Sequence, residues 1–200
     1  MVADKAGIHL IETTDGLDLT GKLLIAMPGM SDPRFAHSIV LLCAHSEDGA
    51  MGLILNKPMG DMRFSNLLEQ LSIEETPDSR QMALHFGGPV EGGRGFVLHS
   101  ADYASQISSL LVDKNFAMTA TIDVIEDLAA GGGPVKALMA LGYSGWGPNQ
   151  LEEEIAANGW LICDASLELV FDLRDEAKWE AALNSLGIDP LTLSASAGRA

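Results

Sequence analysis

The chain has 200 residues, 47% of them apolar, and carries 28 acidic against 12 basic side chains for a formal charge of −16. That length fits one domain with a substantial core, and the charge opposes direct nucleic-acid binding and anionic membrane surfaces. Both draw their affinity from clustered Lys and Arg, whereas here Lys22, Arg34, Lys57, Arg63, Arg80, Arg94 and the other bases are scattered singly.

Lys22–Ala26 and Ser38–Ala44 are near-continuous aliphatic runs, the pattern of strands covered on both faces. Between them lies a structured loop, Pro28–Phe35, in which Asp32-Pro33 excludes helix at Asp32. The Asp-Gly of HSEDG (45–49) is a turn signal before a third run, Met51–Leu55, so Ser38–Leu55 is predicted to be a β-hairpin. Phe64, Leu67, Leu68 and Leu71 have helical spacing and predict a helix over Arg63–Leu71, followed by the exposed loop IEETPDSR. Ala83–Phe86 and Gly95–His99 flank GGPVEGGRG, whose five glycines and one proline are expected to exclude regular structure. In Ala101–Val112, Tyr103, Ile107, Leu110 and Leu111 are compatible with one helical face. Phe116–Asp123 alternates like a strand, Val124–Ala130 is a short helix, and Val135–Leu141 is a strand feeding a loop, GYSGWG (142–147). A helix over Asn149–Asn158 carries Pro148, early glutamates 152–154 and an Asn158-Gly159 stop. Trp160–Cys163 and Leu167–Phe171 are expected as strands. Asp175–Leu186 is expected as a helix with Trp179, Ala182, Leu183 and Leu186 inward, before a frayed tail, LSASAGRA.

Three segments in order then carry a family likeness: GKLLIAMPGMSDPRFAHSIVLLCAHSEDGAMGLILNKP (21–58), FGGPVEGGRGFVLH (86–99) and GYSGWGPNQLEEEIAANGWL (142–161). With the following Phe-Asp-Leu strand end and Trp-containing helix, they resemble the bacterial AlgH/YqgE family from about Gly21 to Ala200. The resemblance implies an α+β fold, a small closed β-barrel with a bifurcated mixed sheet surrounded by helices. It would form one domain over 1–200, with 1–20 and 192–200 peripheral. Members are often labelled transcriptional regulators, and the resemblance implies no reaction, catalytic residue or cofactor. The family commonly ends Gly-His-Ala, where this chain has Gly198-Arg199-Ala200 and so lacks that histidine.

Four glycine- and proline-punctuated blocks, PGMSDPRF, NKP, FGGPV and GYSGWG, adjoin apolar runs and are read as loops of one ligand or partner site. Asp32, Asn56, Lys57, Gly87, Gly88, Ser144, Gly145 and Trp146 are expected to line it, facing an unidentified protein or small molecule. A triad drawn from Ser31, Ser38 or Ser144 with His45 or His99 and Asp32 is not selected by any spacing, and Gly142-Tyr143-Ser144-Gly145 misses the nucleophile elbow by one position. A metal site from His45, His85 and His99 would need distant residues to converge. GYSGWG ahead of a helix could hold an anion, but it lacks the phosphate-loop lysine and the glutamates already occupy the dipole. Cys43 and Cys163 lie in apolar runs and are expected to be reduced and buried. If the protein is an enzyme or redox-responsive, the candidate is Cys43 with His45, since positions 43 and 45 of a strand share a face. A non-enzymatic binding or regulatory protein, acting indirectly rather than on DNA, is the preferred reading. No apolar run approaches the roughly 18 residues of a spanning helix, and MVADKAGIHL lacks the order of a secretory leader, so a cytoplasmic setting without membrane attachment is expected.

Overall fold

A computed structural model of the chain describes residues 17–197. Ten strands follow in chain order: β1 (Lys22–Ala26), β2 (Ile39–Ser46), β3 (Gly49–Ile54), β4 (Pro58–Arg63), β5 (Ala83–Phe86), β6 (Val90–Ser100), β7 (Leu110–Leu111), β8 (Phe116–Thr119), β9 (Ala137–Trp146) and β10 (Trp160–Asp164). The helices are α1 (Phe64–Leu71), α2 (Ile122–Ala129), α3 (Gln150–Ala156), α4 (Asp175–Ser185) and α5 (Pro190–Ala197), with one π-helical turn at Glu168–Asp172.

The main hydrogen-bonded path is β10-β1-β2-β3-β9-β6-β8-β7, antiparallel throughout, and the sheet forks at β9. One edge of β9 pairs with β6; the other takes β5, in parallel, over Met139–Leu141 and then β3 over Ser144–Trp146. β4 extends the second branch through β5. The result is a mixed α/β domain whose sheet curls as a half-barrel among helices. Among the described residues the path ends, β10 and β7, have no pairing with each other.

Alternation assigns the two faces of the central strands. Leu23, Ile25, Ile39, Leu41 and Cys43 pack with Trp179, Ala182 and Leu183 of α4. Leu24, Ala26, Val40 and Leu42 pack with Trp146, Leu151 and Trp160 on the α3 side. Both faces are covered, which is why β1 and β2 read as unbroken aliphatic runs. A third cluster places Phe64 and Leu68 of α1 and Val124, Ile125 and Leu128 of α2 over Leu84, Val97 and Met139.

The β2–β3 hairpin, α1 and α2 form close to where periodicity places them. Other segments differ. GGPVEGGRG is not a loop throughout, because β6 starts at Val90 and accommodates 91–94 as an irregularity in its register with β9. GYSGWG is mostly strand: β9 runs to Trp146, its glycines removing side chains where three strands crowd it. Ala101–Val112 forms bends and short β7 rather than a helix, leaving Ile107 and Leu111 exposed. Leu167–Phe171 is taken by the π-helical turn, since a short apolar run carries no signal that separates strand from helix. Leu186 caps α4 and is exposed, unlike its expected partners. The tail is helical through Ala197 as α5. The leader reading at residues 1–10, most of the peripheral segment 1–20 and the Arg199 departure lie outside the described residues.

Candidate functional site

One irregularity shapes the site. The register of β2 against β3 slips between Leu42 and Ala44, a β-bulge that resets alternation. Cys43 therefore stays with the α4-side core, whereas His45, two residues on, turns toward α3 and bonds Glu152. The expected shared face of Cys43 and His45 is corrected on this ground. The thiol is about 1% exposed, donates weakly to the Leu41 carbonyl at 3.7 Å, and burial pushes its pKa up to about 12. Such a thiol is inert rather than activated.

A cleft of about 910 Å³ opens in the curl of the sheet, lined by the hairpin tip, the start of β6, the end of β9 and the β7–β8 region. Met51, Phe96, Met118 and Tyr143 form its apolar floor and belong to, or pack against, the α4-side core. Phe96 and Tyr143 meet edge to face with centroids 5.8 Å apart. Arg94, the one Lys or Arg in the lining, stands 5.1 Å over the Phe96 ring and pairs with Glu91 at 3.2 Å. The half-buried Tyr143 hydroxyl has no hydrogen-bond partner among the described residues.

The opposite wall is locked by α3. His45 Nδ1 accepts from the Leu19 N–H at 3.1 Å, so the ring hydrogen sits on Nε2 and is donated to Glu152 Oε1 at 2.7 Å. Burial pushes the Glu152 carboxyl up, but its own backbone N–H and His45 reverse that and leave it below the usual value. Glu154 Oε2 accepts from two indoles at once, Trp146 Nε1 at 3.0 Å and Trp160 Nε1 at 2.8 Å, while Gln150 donates to Oε1. Glu152 and Glu154 of this helix thus have specific partners beyond the dipole.

The residues expected to share one groove fall in separate places. Gly145 and Trp146 line the cleft, with Trp146 also part of the α3-side core. Asn56 and Lys57 sit at the opposite end of the hairpin, where the amide spans Ile39 N–H and the His37 carbonyl and Lys57 donates to the Ala36 carbonyl. They border a second cavity with His37 and Trp179. Gly87, Gly88 and Ser144 come together, but as packing: a Cβ on Gly87 would meet Gly142 O at 2.2 Å, one on Gly88 would meet Tyr143 C at 2.1 Å, and Ser144 is buried and donates to Gly87 O. Asp32 is fixed by Arg34 in an exposed ion pair that lowers its pKa.

The serine-triad candidates do not assemble. The buried Ser38 hydroxyl has no partner among the described residues, Ser144 bonds a carbonyl, and His99 is enclosed between the Ser100 carbonyl and Thr119. The histidines considered for a metal are likewise dispersed: His45 on the cleft wall, His85 against Asp175, His99 inside the β6–β8 pair. Sequence reading overlooked the cleft's own floor and Arg94. Its only trace was the aromatic and Met positions in β3, β6, β8 and β9, whose convergence depends on strand neighbours that no local signal reveals.

The family profile described as AlgH-like matches residues 23–191. A UPF0301 protein of Cereibacter sphaeroides is 59% identical over 184 residues, covering 92% of this chain and all of that protein. One of Ruegeria pomeroyi is 60% identical over 185 residues, with the same coverage of both chains. The solution structure of the AlgH protein from Pseudomonas aeruginosa superposes with a TM-score of 0.76 at 40% identity, over 95% of this chain and 100% of that one.

Proposed function

The chain belongs to the AlgH-like family, and from that premise we propose that it is a non-enzymatic binding protein of the cytosol whose ligand or partner occupies the cleft beside β6 and β9. The carrying observation is the pairing of an apolar, aromatic floor with two polar handles, the exposed Arg94 guanidinium, whose one ion pair is to exposed Glu91, and the Tyr143 hydroxyl, which has no partner among the described residues. Pockets built this way hold amphipathic molecules: area supplies affinity and a few polar groups fix orientation. His45, the nearest candidate base, has both ring nitrogens engaged and serves to fix the wall. A regulatory effect would pass through the bound ligand or partner, because a charge of −16 opposes phosphate backbones.

Anilinonaphthalene sulfonate, an aromatic anion of matching chemistry, is the probe. It should bind the folded protein saturably at one site, and Arg94→Gln and Tyr143→Phe should each weaken binding about three- to tenfold while leaving the melting temperature within a few degrees, since each removes one hydrogen bond. Absence of saturable binding by the folded protein, or affinity unchanged from the parent in both variants, would refute the assignment.

A further inference from the structure

Away from the cleft, under the first turn of α4, three titratable side chains converge. His85 Nε2 lies 3.0 Å from Asp175 Oδ2, and the Lys178 ammonium donates to Asp175 Oδ1 at 3.1 Å and to the Leu55 carbonyl at 3.2 Å. His85 Nδ1 faces the Met139 carbonyl at 3.3 Å. Lys178 is only 3% exposed, so burial pulls its pKa down against the attraction of Asp175. Burial also pushes the more open Asp175 up, but the His85 hydrogen bond and the charges of His85 and Lys178 carry it below the usual carboxylate range.

Packing alone does not account for this arrangement. A buried ion cluster is weak evidence for stability, because apolar residues of similar volume usually serve as well. Lys178 has three donors and only two protein acceptors among the described residues, which leaves one N–H of a buried ammonium without a partner. Beside it lies a cavity of about 150 Å³, walled by Met82, Leu138, Phe171 and Leu173 and bordered by His85, Asp175, Lys178 and Arg174. Arg174 is exposed at that border, and its guanidinium has no hydrogen bond or ion pair among the described residues. In a chain where acids outnumber bases 28 to 12, this is a place where bases predominate. Glu176 and Glu180 instead border the neighbouring cavity with Lys57.

We propose that this cavity is a binding site for a small aliphatic monocarboxylate, its alkyl end among Met82, Leu138, Phe171 and Leu173 and its carboxylate between the Arg174 guanidinium and the third N–H of Lys178. The volume equals about five waters of liquid, which sets the ligand at roughly four carbons. Arg–carboxylate pairing supplies the directional contact and the enclosed lysine the charge. Asp175 and His85 are positioning residues: Asp175 Oδ1 holds the ammonium in place, and His85 fixes the other carboxylate oxygen.

The test uses the full chain with sodium butyrate at tens of millimolar and constant ionic strength, against butyramide and sodium chloride as controls, followed by amide NMR shifts and thermal melting. Butyrate should shift Ala83, His85, Leu138 and Lys178 saturably and raise the melting temperature; the controls should do neither. Arg174→Gln, at an exposed position outside the core, should retain the fold and weaken butyrate about tenfold or more. Arg174→Lys should restore part of the affinity, whereas a purely structural cluster would respond to none of these changes. No saturable shift, an equal response to butyramide or chloride, or unchanged affinity in Arg174→Gln would overturn the proposal.

Discussion

Removing the Glu154 carboxylate tests the reading that the cleft wall is an assembled structure rather than a loose helix against a sheet. Glu154 Oε2 is the acceptor for both the Trp146 and Trp160 indoles, which are 6% and 3% exposed and pack edge to face at 6.0 Å. Glu154→Ala leaves two enclosed N–H donors without their charged acceptor. A hydrogen bond to a charged group contributes about 1.5–3 kcal/mol, and because Glu154 is only half-buried, water entering behind the truncated side chain recovers part of that. The expected loss is about 2–4 kcal/mol, a fall of roughly 5–15 °C in melting temperature for a domain of this size. Urea denaturation followed by tryptophan emission measures the loss directly, since two of the three tryptophans sit in this clamp. Glu154→Gln should cost less, because one amide oxygen can still accept from both rings, but its NH₂ then opposes the Gln150 amide. Stability of Glu154→Ala within about 1 kcal/mol of the parent, less than one hydrogen bond to a charged group contributes, with unchanged emission would refute the clamp.

Three further outcomes follow from packing and protonation. Gly88→Ala should fail to accumulate as folded protein in a solubility and circular-dichroism comparison, since its Cβ would lie 2.1 Å from Tyr143 C and φ is +153°; a folded variant with normal melting would contradict the strand contact. Cys43, with its pKa pushed up to about 12, should resist a thiol reagent at pH 8 until denaturant is added, and rapid native labelling would show the site to be open. His99 is fully buried, and burial lowers its pKa below the ordinary 6.5, so the unfolded chain takes up a proton first on acidification. The contribution of neutral His99 is thus present above about pH 6.5 and is lost as pH falls below it, at up to about 1.4 kcal/mol per unit; denaturation midpoints at pH 7 and pH 5 in the parent and in His99→Gln measure it, and identical slopes would negate it.

Local chemistry is where the sequence speaks clearly. The aliphatic runs of β1 and β2, the Asp48-Gly49 turn, the spacing of Phe64 and Leu68, and the glutamates and Asn158-Gly159 stop around α3 each fix an element through contacts within a few residues. The family likeness was equally legible, because three long motifs in order identify it without any geometry. The glycine blocks misled in a consistent way. Gly87, Gly88 and Gly142 mark close backbone approach between β9 and its neighbours, and that use cannot be distinguished from a ligand loop until the neighbours are known.

What the tertiary structure alone decided is which strands meet and which face each residue takes. A single bulge after Leu42 separated Cys43 from His45, and the fork at β9 gathered Met51, Phe96, Met118 and Tyr143 into one floor. The approach of β5 to the start of α4 brought His85 to Asp175 across 90 positions of sequence. Strand side chains alternate with period two, so one inserted residue reverses a face, and long-range pairing is set by burial of the whole sheet rather than by any local pattern.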